Sequence, residues 1–193
     1  MKVNKIFSSN RQHWTRTPFL ANQYRSWLTE TGSLTARLQQ NYPDFFVKPV
    51  SVAYVKPRAE EALLLHVPGN AAAQIREVFL CGNGKPVVFA HSVLPRSSLL
   101  GGWRNLGRLG NKPLGATLFA NPKVRRTPLT YKKISAQHAL YRAATYDMQE
   151  KPAYLWARRS VFSLNCASII VIEVFLPDLI KPSLTKAEVM AET

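Results

Sequence analysis

The sequence predicts an α+β fold: a single domain built on a mostly antiparallel β-sheet, with helices against one face. Three observations carry this. The runs "AAQIREVFLC" and "KPVVFAHSVLP" flank an Asn-Gly turn. A second apolar pair, "AYLWARRSVFSLN" and "SIIVIEVFLP", meets at Cys166-Ala167. Helix-patterned segments precede the first pair and fill the interval between the two. Paired runs joined by tight turns are hairpins, and hairpins make antiparallel sheets. The domain is expected to span residues 1–193, with its core at about 22–177 and poorly patterned ends at 1–21 and 178–193.

In chain order, "TRTPFLANQYRSWLTETGSLTARLQQN" reads as two short helices. Asn22 can cap the first and Gly32 end it. Ser33 can cap the second, which carries Leu34, Arg37 and Leu38 at helical spacing. "FFVKPVSVAYVKP" is a strand, because Val50, Val52 and Tyr54 alternate with Ser51, Ala53 and Val55. "RAEEALLLHVPGN" reads as an irregular crossing that ends at Pro68-Gly69. The first hairpin follows, and Asn83-Gly84 supplies the positive φ angles its turn requires. In the next stretch Ser97 can start a helix that the glycines break, and Pro113 suits the first turn of another over "LGATLF". "KVRRTPLTYKKISAQ" and "HALYRAATYDM" read as strands or extended segments before the second hairpin. The tail beyond Pro177 is polar and expected to be loose.

Composition narrows the function classes. With 46% hydrophobic residues over 193 positions, the chain can bury a sizeable core without staples. Cys81 and Cys166 stand far apart, with no zinc-ligand spacing, which fits a reducing cytoplasm. No run is long enough for a membrane span, and the basic start lacks the apolar stretch of a signal peptide. The motifs of nucleotide, flavin, serine-hydrolase and zinc-peptidase sites are missing, so no cofactor and no metal are expected. A net charge of +15, from 26 Lys and Arg against 11 Asp and Glu, favours anionic partners.

Two charges sit where charge is costly. Glu173 lies inside "SIIVIEVFLP": Ile169, Val171 and Phe175 share its face, and Ile170, Ile172, Val174 and Leu176 form the other. Arg76 lies inside "QIREVFLC", on a face that continues with Val78 and Leu80. Glu77 points the opposite way. Burying an unpaired charge costs several kcal/mol. Either the two residues belong to ion pairs or wet edges, or they face a sealed polar pocket. In a pocket, Arg76 would hold an anionic group at one end of a ligand and Glu173 would meet a hydroxyl at the other. The planar fork of arginine suits a carboxylate.

In order along the chain, "GSLTARL", "VSVAYV", "REVFLCGNGKPVVFAHSVLP", "LGNKPLGATLF", "LWARRSVFSL" and "EVFLP" resemble the chorismate pyruvate-lyase family from about Trp27 to Pro177. The resemblance implies a chorismate lyase-like fold, with helical flaps closed over a buried ligand pocket. It also implies a cofactor-independent lyase that turns chorismate into 4-hydroxybenzoate and pyruvate for ubiquinone synthesis. By that resemblance Arg76 binds the ring carboxylate, Glu173 faces the ring hydroxyl, and backbone groups at Leu34 and Leu114 complete the site. His91, Arg158 and Arg159 are the candidates for the second carboxylate. Strand alternation aims only one of the two arginines inward, and His91 reads first as a structural histidine.

Two rivals remain open at this level: a non-catalytic sensor of small aromatic acids on the same fold, and a basic nucleic-acid-binding protein, whose stretch "KVRRTPLTYKK" would do the binding. A sensor of this kind usually carries a DNA-binding domain ahead of it, and the stretch before Trp27 is expected to be too short for one. The expected partner is chorismate, as small-molecule substrate, and the protein is expected to be a cytoplasmic monomer. Weak contacts with an anionic membrane or with other ubiquinone-pathway enzymes are compatible with the charge, and nucleic acid is not favoured, because charge alone gives mainly non-specific affinity.

Overall fold

The computed structural model describes residues 13–108 and 112–180. In these described residues seven strands form one sheet: β1 (Phe46–Val55), β2 (Ala73–Gly82), β3 (Lys85–Pro95), β4 (Arg125–Arg126), β5 (Thr130–Ile134), β6 (Leu155–Leu164) and β7 (Ala167–Phe175). Their order is β1-β2-β3-β7-β6-β4, with β5 also pairing β6. Every pairing is antiparallel. Both predicted hairpins form. Asn83 and Gly84 take φ of 53° and 69°, and Asn165, at φ 54°, turns the second hairpin.

Among the described residues six α-helices accompany the sheet: α1 (Arg25–Leu28), α2 (Leu34–Asn41), α3 (Ala59–Leu65), α4 (Arg96–Leu100), α5 (Leu114–Ala120) and α6 (Ala139–Ala144). They cover both faces of the sheet, where the sequence suggested one. On one face, Leu65 of α3 with Leu140 and Tyr141 of α6 pack against Phe89, Ile170, Ile172 and Val174. On the other, Leu28, Leu34 and Leu38 meet Val78, Leu80 and Phe175, while Leu114 and Leu118 meet Phe162 and Ile169. This two-sided cover explains why β7 is apolar on both faces.

Helices α3 and α6 replace the irregular crossing and the extended segment expected from sequence. In α3 the Glu61 carboxylate accepts the Arg58 backbone N–H at 2.9 Å, which closes the first turn, and Ala62 and Leu65 are buried. In α6 His138 Nδ1 accepts from the Leu140 N–H at 3.2 Å, and Leu140, Tyr141 and Ala144 bury one helical face. Ser33 caps α2 as expected, accepting from Ala36 N. Asn22 instead heads a 3-10 turn (Asn22–Tyr24), α1 ends at Leu28, well before Gly32, and Pro113 takes the N-cap position of α5. β1 is an exposed edge strand, and its pairing slips between Pro49 and Ser51. A proline is tolerated there because an edge strand leaves half its backbone groups to solvent. Cys81 is buried and Cys166 exposed, both as free thiols. No described helix is long and apolar enough to cross a membrane. The expectations for the two chain ends fall largely outside the described residues.

Candidate active site

The central strands bring the two anomalous charges to one cavity. Val78, Ala90, Glu173 and Arg158 form a row across β2, β3, β7 and β6, and Arg76, Ser92, Val171 and Ser160 form the next. Arg76 and Glu173 therefore lie on the same face, with β3 between their strands, about 10 Å apart across the sheet. Both line a cavity under α2 and α5, together with Leu34, Leu114, Arg126 and Arg158.

Two flaps roof this cavity. The first is the α1–α2 connection with the start of α2, and the second runs from Lys112 into α5. They meet closely: a Cβ placed on Gly115 would lie 2.9 Å from Thr35 Oγ1 and 3.3 Å from Ser33 Oγ. The arginines below hold the flaps down. Arg76 Nη2 donates to Lys112 O at 3.0 Å. Arg158 Nη1 donates to the carbonyls of Trp27, Leu28 and Glu30 at 2.8–3.2 Å. Arg126 Nη1 donates to Thr31 O at 2.9 Å. The free space beneath the flaps is about 40 Å³, so a six-membered ring is expected to displace them on binding.

Glu173 is both ion-paired and pocket-facing, so the two sequence-level alternatives hold together. Arg158, fully buried and directly opposite on β6, donates from Nε to Glu173 Oε2 at 2.5 Å. Arg76 is 4% exposed, and burial pulls its guanidinium below the ordinary arginine value. That direction marks a cation that an anion in the cavity would stabilise.

The alternation argument picks Arg158 over Arg159. Arg159 turns to the other face, where its guanidinium lies 4.1 Å over the Trp14 ring and 3.6 Å from Glu60. His91 is a correction: it does not reach the cavity. It sits on the back of the sheet beside Glu77, its cross-strand neighbour, with Nδ1 2.9 Å from Glu77 Oε1 and Nε2 3.1 Å from Glu61 Oε1. Between two carboxylates the ring is placed to donate from both nitrogens, an arrangement that favours the protonated form. Burial pushes its pKa down, but the hydrogen bonds to Glu61 and Glu77 outweigh this and leave it raised. Arg126 was missed. It stands on a two-residue strand that only its pairing with Phe162 and Ser163 reveals.

The fold is shared with domains of GntR-family transcriptional regulators. It superposes on the PhnF C-terminal domain with a TM-score of 0.55 at 13% identity, covering 70% of this chain and 84% of that one. The effector domain of PhnF from Mycobacterium smegmatis gives 0.53 at 15% identity, over 77% and 91%. The molecule is thus a domain of the chorismate lyase-like fold, with a roofed, arginine-lined cavity on one face of its sheet. Among sequence relatives, a protein of Methylobacillus flagellatus named "Probable chorismate pyruvate-lyase" is 47% identical over 171 residues, which cover 89% of this chain and 96% of the relative. One of Thiobacillus denitrificans with the same name is 48% identical over 158 residues, 82% and 84%. The model of the family described as "Chorismate lyase" matches residues 9–184, and the chain belongs to that family.

Proposed function

We propose that this protein cleaves chorismate to 4-hydroxybenzoate and pyruvate, as a step of ubiquinone ring synthesis. The observation that carries this reading is the placement of Arg76 and Glu173 on one roofed cavity, at opposite sides of the β3 strand. Arg76 holds the ring carboxylate, and Glu173 faces the hydroxyl that the product keeps. Leu34 and Leu114, each at a helix start beside the cavity, offer backbone N–H groups to the ligand.

The reaction needs little from the protein beyond shape and charge. The ether C–O bond breaks and its electron pair leaves with the enolpyruvyl group. The hydrogen on the hydroxyl-bearing carbon departs as a proton, and its bonding pair completes the aromatic ring. The enolpyruvate takes up a proton and becomes pyruvate. Aromatisation drives the step. The cavity holds a reactive conformer, excludes water, and sets Glu173, steadied by Arg158, beside the hydroxyl.

The test is release of pyruvate and 4-hydroxybenzoate from chorismate by the wild type and by Arg76→Ala. Production by the wild type and severe loss in the variant are expected. A folded wild type that binds chorismate without releasing pyruvate would favour the sensor reading, which the structural likeness to regulator effector domains keeps in view.

A further inference from the structure

We infer that Arg126 and Arg158 form a second anion subsite in this cavity, which takes the enolpyruvyl carboxylate while Arg76 takes the ring carboxylate. The identity of that carboxylate rests on the lyase reading. The presence of an anion subsite does not.

Position is the first argument. The enolpyruvyl ether sits on the ring carbon next to the one bearing the hydroxyl, so it must lie beside Glu173. Arg158 is the residue opposite Glu173. Arg126 reaches the same place from β4: its Nε donates at 2.9 Å to the hydroxyl of Ser160, two residues from Arg158 on the same face of β6. The rings of Phe119 and Phe162, 5.6 and 5.1 Å from its guanidinium carbon, hold it there.

Hydrogen-bond accounting is the second. Arg158 commits Nε to Glu173 and Nη1 to the carbonyls of Trp27, Leu28 and Glu30, yet its buried Nη2 has no partner among the described residues. Arg126 commits Nε to Ser160 and Nη1 to Thr31 O, and its Nη2 makes no hydrogen bond among the described residues. A buried unsatisfied guanidinium N–H is costly, and a carboxylate offers two oxygens.

Charge is the third. Around the proposed subsite Arg126 and Arg158 set two guanidiniums against the carboxylate of Glu173, a surplus of one positive charge among the described residues. Chorismate carries two carboxylates, whereas 4-hydroxybenzoate carries one. Burial lowers the pKa of Arg126. Glu173 pulls it back up, and the neighbouring charge of Arg158 lowers it further. An anion between the two guanidiniums relieves both burdens. Ring contacts persist from substrate to product, but this subsite meets the group on which charge grows as the C–O bond breaks, so it can lower the barrier itself.

The experiment compares Arg126→Gln and Arg126→Lys with the wild type, using chorismate turnover and calorimetric binding of 4-hydroxybenzoate. For Arg126→Gln, kcat/KM for chorismate should fall about 100-fold. Affinity for 4-hydroxybenzoate, which lacks the enolpyruvyl arm, should fall only by the few-fold that loss of the Arg126–Thr31 flap contact accounts for, far less than the loss for chorismate, and a retained denaturant midpoint reports an intact fold. Arg126→Lys, keeping charge without the fork, should fall between. Equal losses for both ligands would overturn the subsite, leaving Arg126 as a clasp for the flap, and so would no loss in either. If the wild type releases no pyruvate, the lyase reading fails. The subsite is then judged by binding of 3-(1-carboxyvinyloxy)benzoate, a stable dianion, against benzoate. A preference for the dianion that vanishes in Arg126→Gln sustains it, and equal binding overturns it.

Discussion

Gly115 and Thr35 bring the two flaps into contact: the position a Cβ would occupy on Gly115 lies 2.9 Å from Thr35 Oγ1. Thr35 is buried and β-branched, so it gives way poorly. Gly115→Ala should therefore wedge the roof open without touching the sheet beneath. Affinity for 4-hydroxybenzoate should weaken about tenfold, equal to roughly 1.4 kcal/mol, as measured by calorimetry. Unchanged affinity would mean that the flap contact contributes nothing to retention.

The same roof bears on turnover. With so little free space beneath the flaps, product release is expected to need them to lift. Ring contacts to Arg76 and Glu173 serve product as well as substrate. Release is expected to be slower than chemistry, giving a pre-steady-state burst of pyruvate and inhibition by added 4-hydroxybenzoate. A linear time course insensitive to 4-hydroxybenzoate would place the slow step in bond cleavage instead.

Glu173 has two duties, and two substitutions separate them. Glu173→Gln retains an oxygen that can accept from Arg158 Nε, so the fold should survive with a loss of about 1–3 kcal/mol, while chorismate turnover falls at least tenfold. Glu173→Leu removes the counter-ion of a fully buried guanidinium and should cost about 3–5 kcal/mol. Denaturant midpoints rank the two. If both variants were equally stable, the ion pair would not be holding Arg158.

These duties show what was legible in the sequence. The hairpins were, because Asn83-Gly84 carries its turn chemistry locally. So was the inward aim of Arg76 and Glu173, because side chains alternate along a strand. The partner of Glu173 was not, since it depends on how β6 registers against β7. For the same reason His91 could not be assigned to a face relative to Arg76 until β2 and β3 were paired. Helices α3 and α6 have seven and six residues, too short to be stable alone, and they form because they dock on the sheet. Arg126 escaped notice because two residues give no periodicity.

The His91 cluster behind the sheet predicts a pH-dependent stability. Glu61 and His91 are almost fully buried, and Arg58 adds a 2.8 Å contact to Glu61. The pKa of His91 is raised in the folded state, mainly by Glu61 and then Glu77 once burial is overcome. Its contribution is thus complete below the unfolded value of about 6.5 and is lost as pH rises through the native one. For Glu61, burial opposes the shift, but the His91 hydrogen bond and charge win. For Glu77 the His91 bond leads. Both carboxyls end lowered. Their contribution is complete above about 4.3 and fades as pH falls through their native values, so the cluster stabilises most between about 4.3 and 6.5. His91→Gln, which keeps one donor group but no charge, should lower the denaturant midpoint most in that window, with the deficit shrinking toward pH 9. Binding of 4-hydroxybenzoate should be unaffected, because the cluster faces away from the cavity. A deficit that grew with alkaline pH would mean that His91 is neutral in the folded protein.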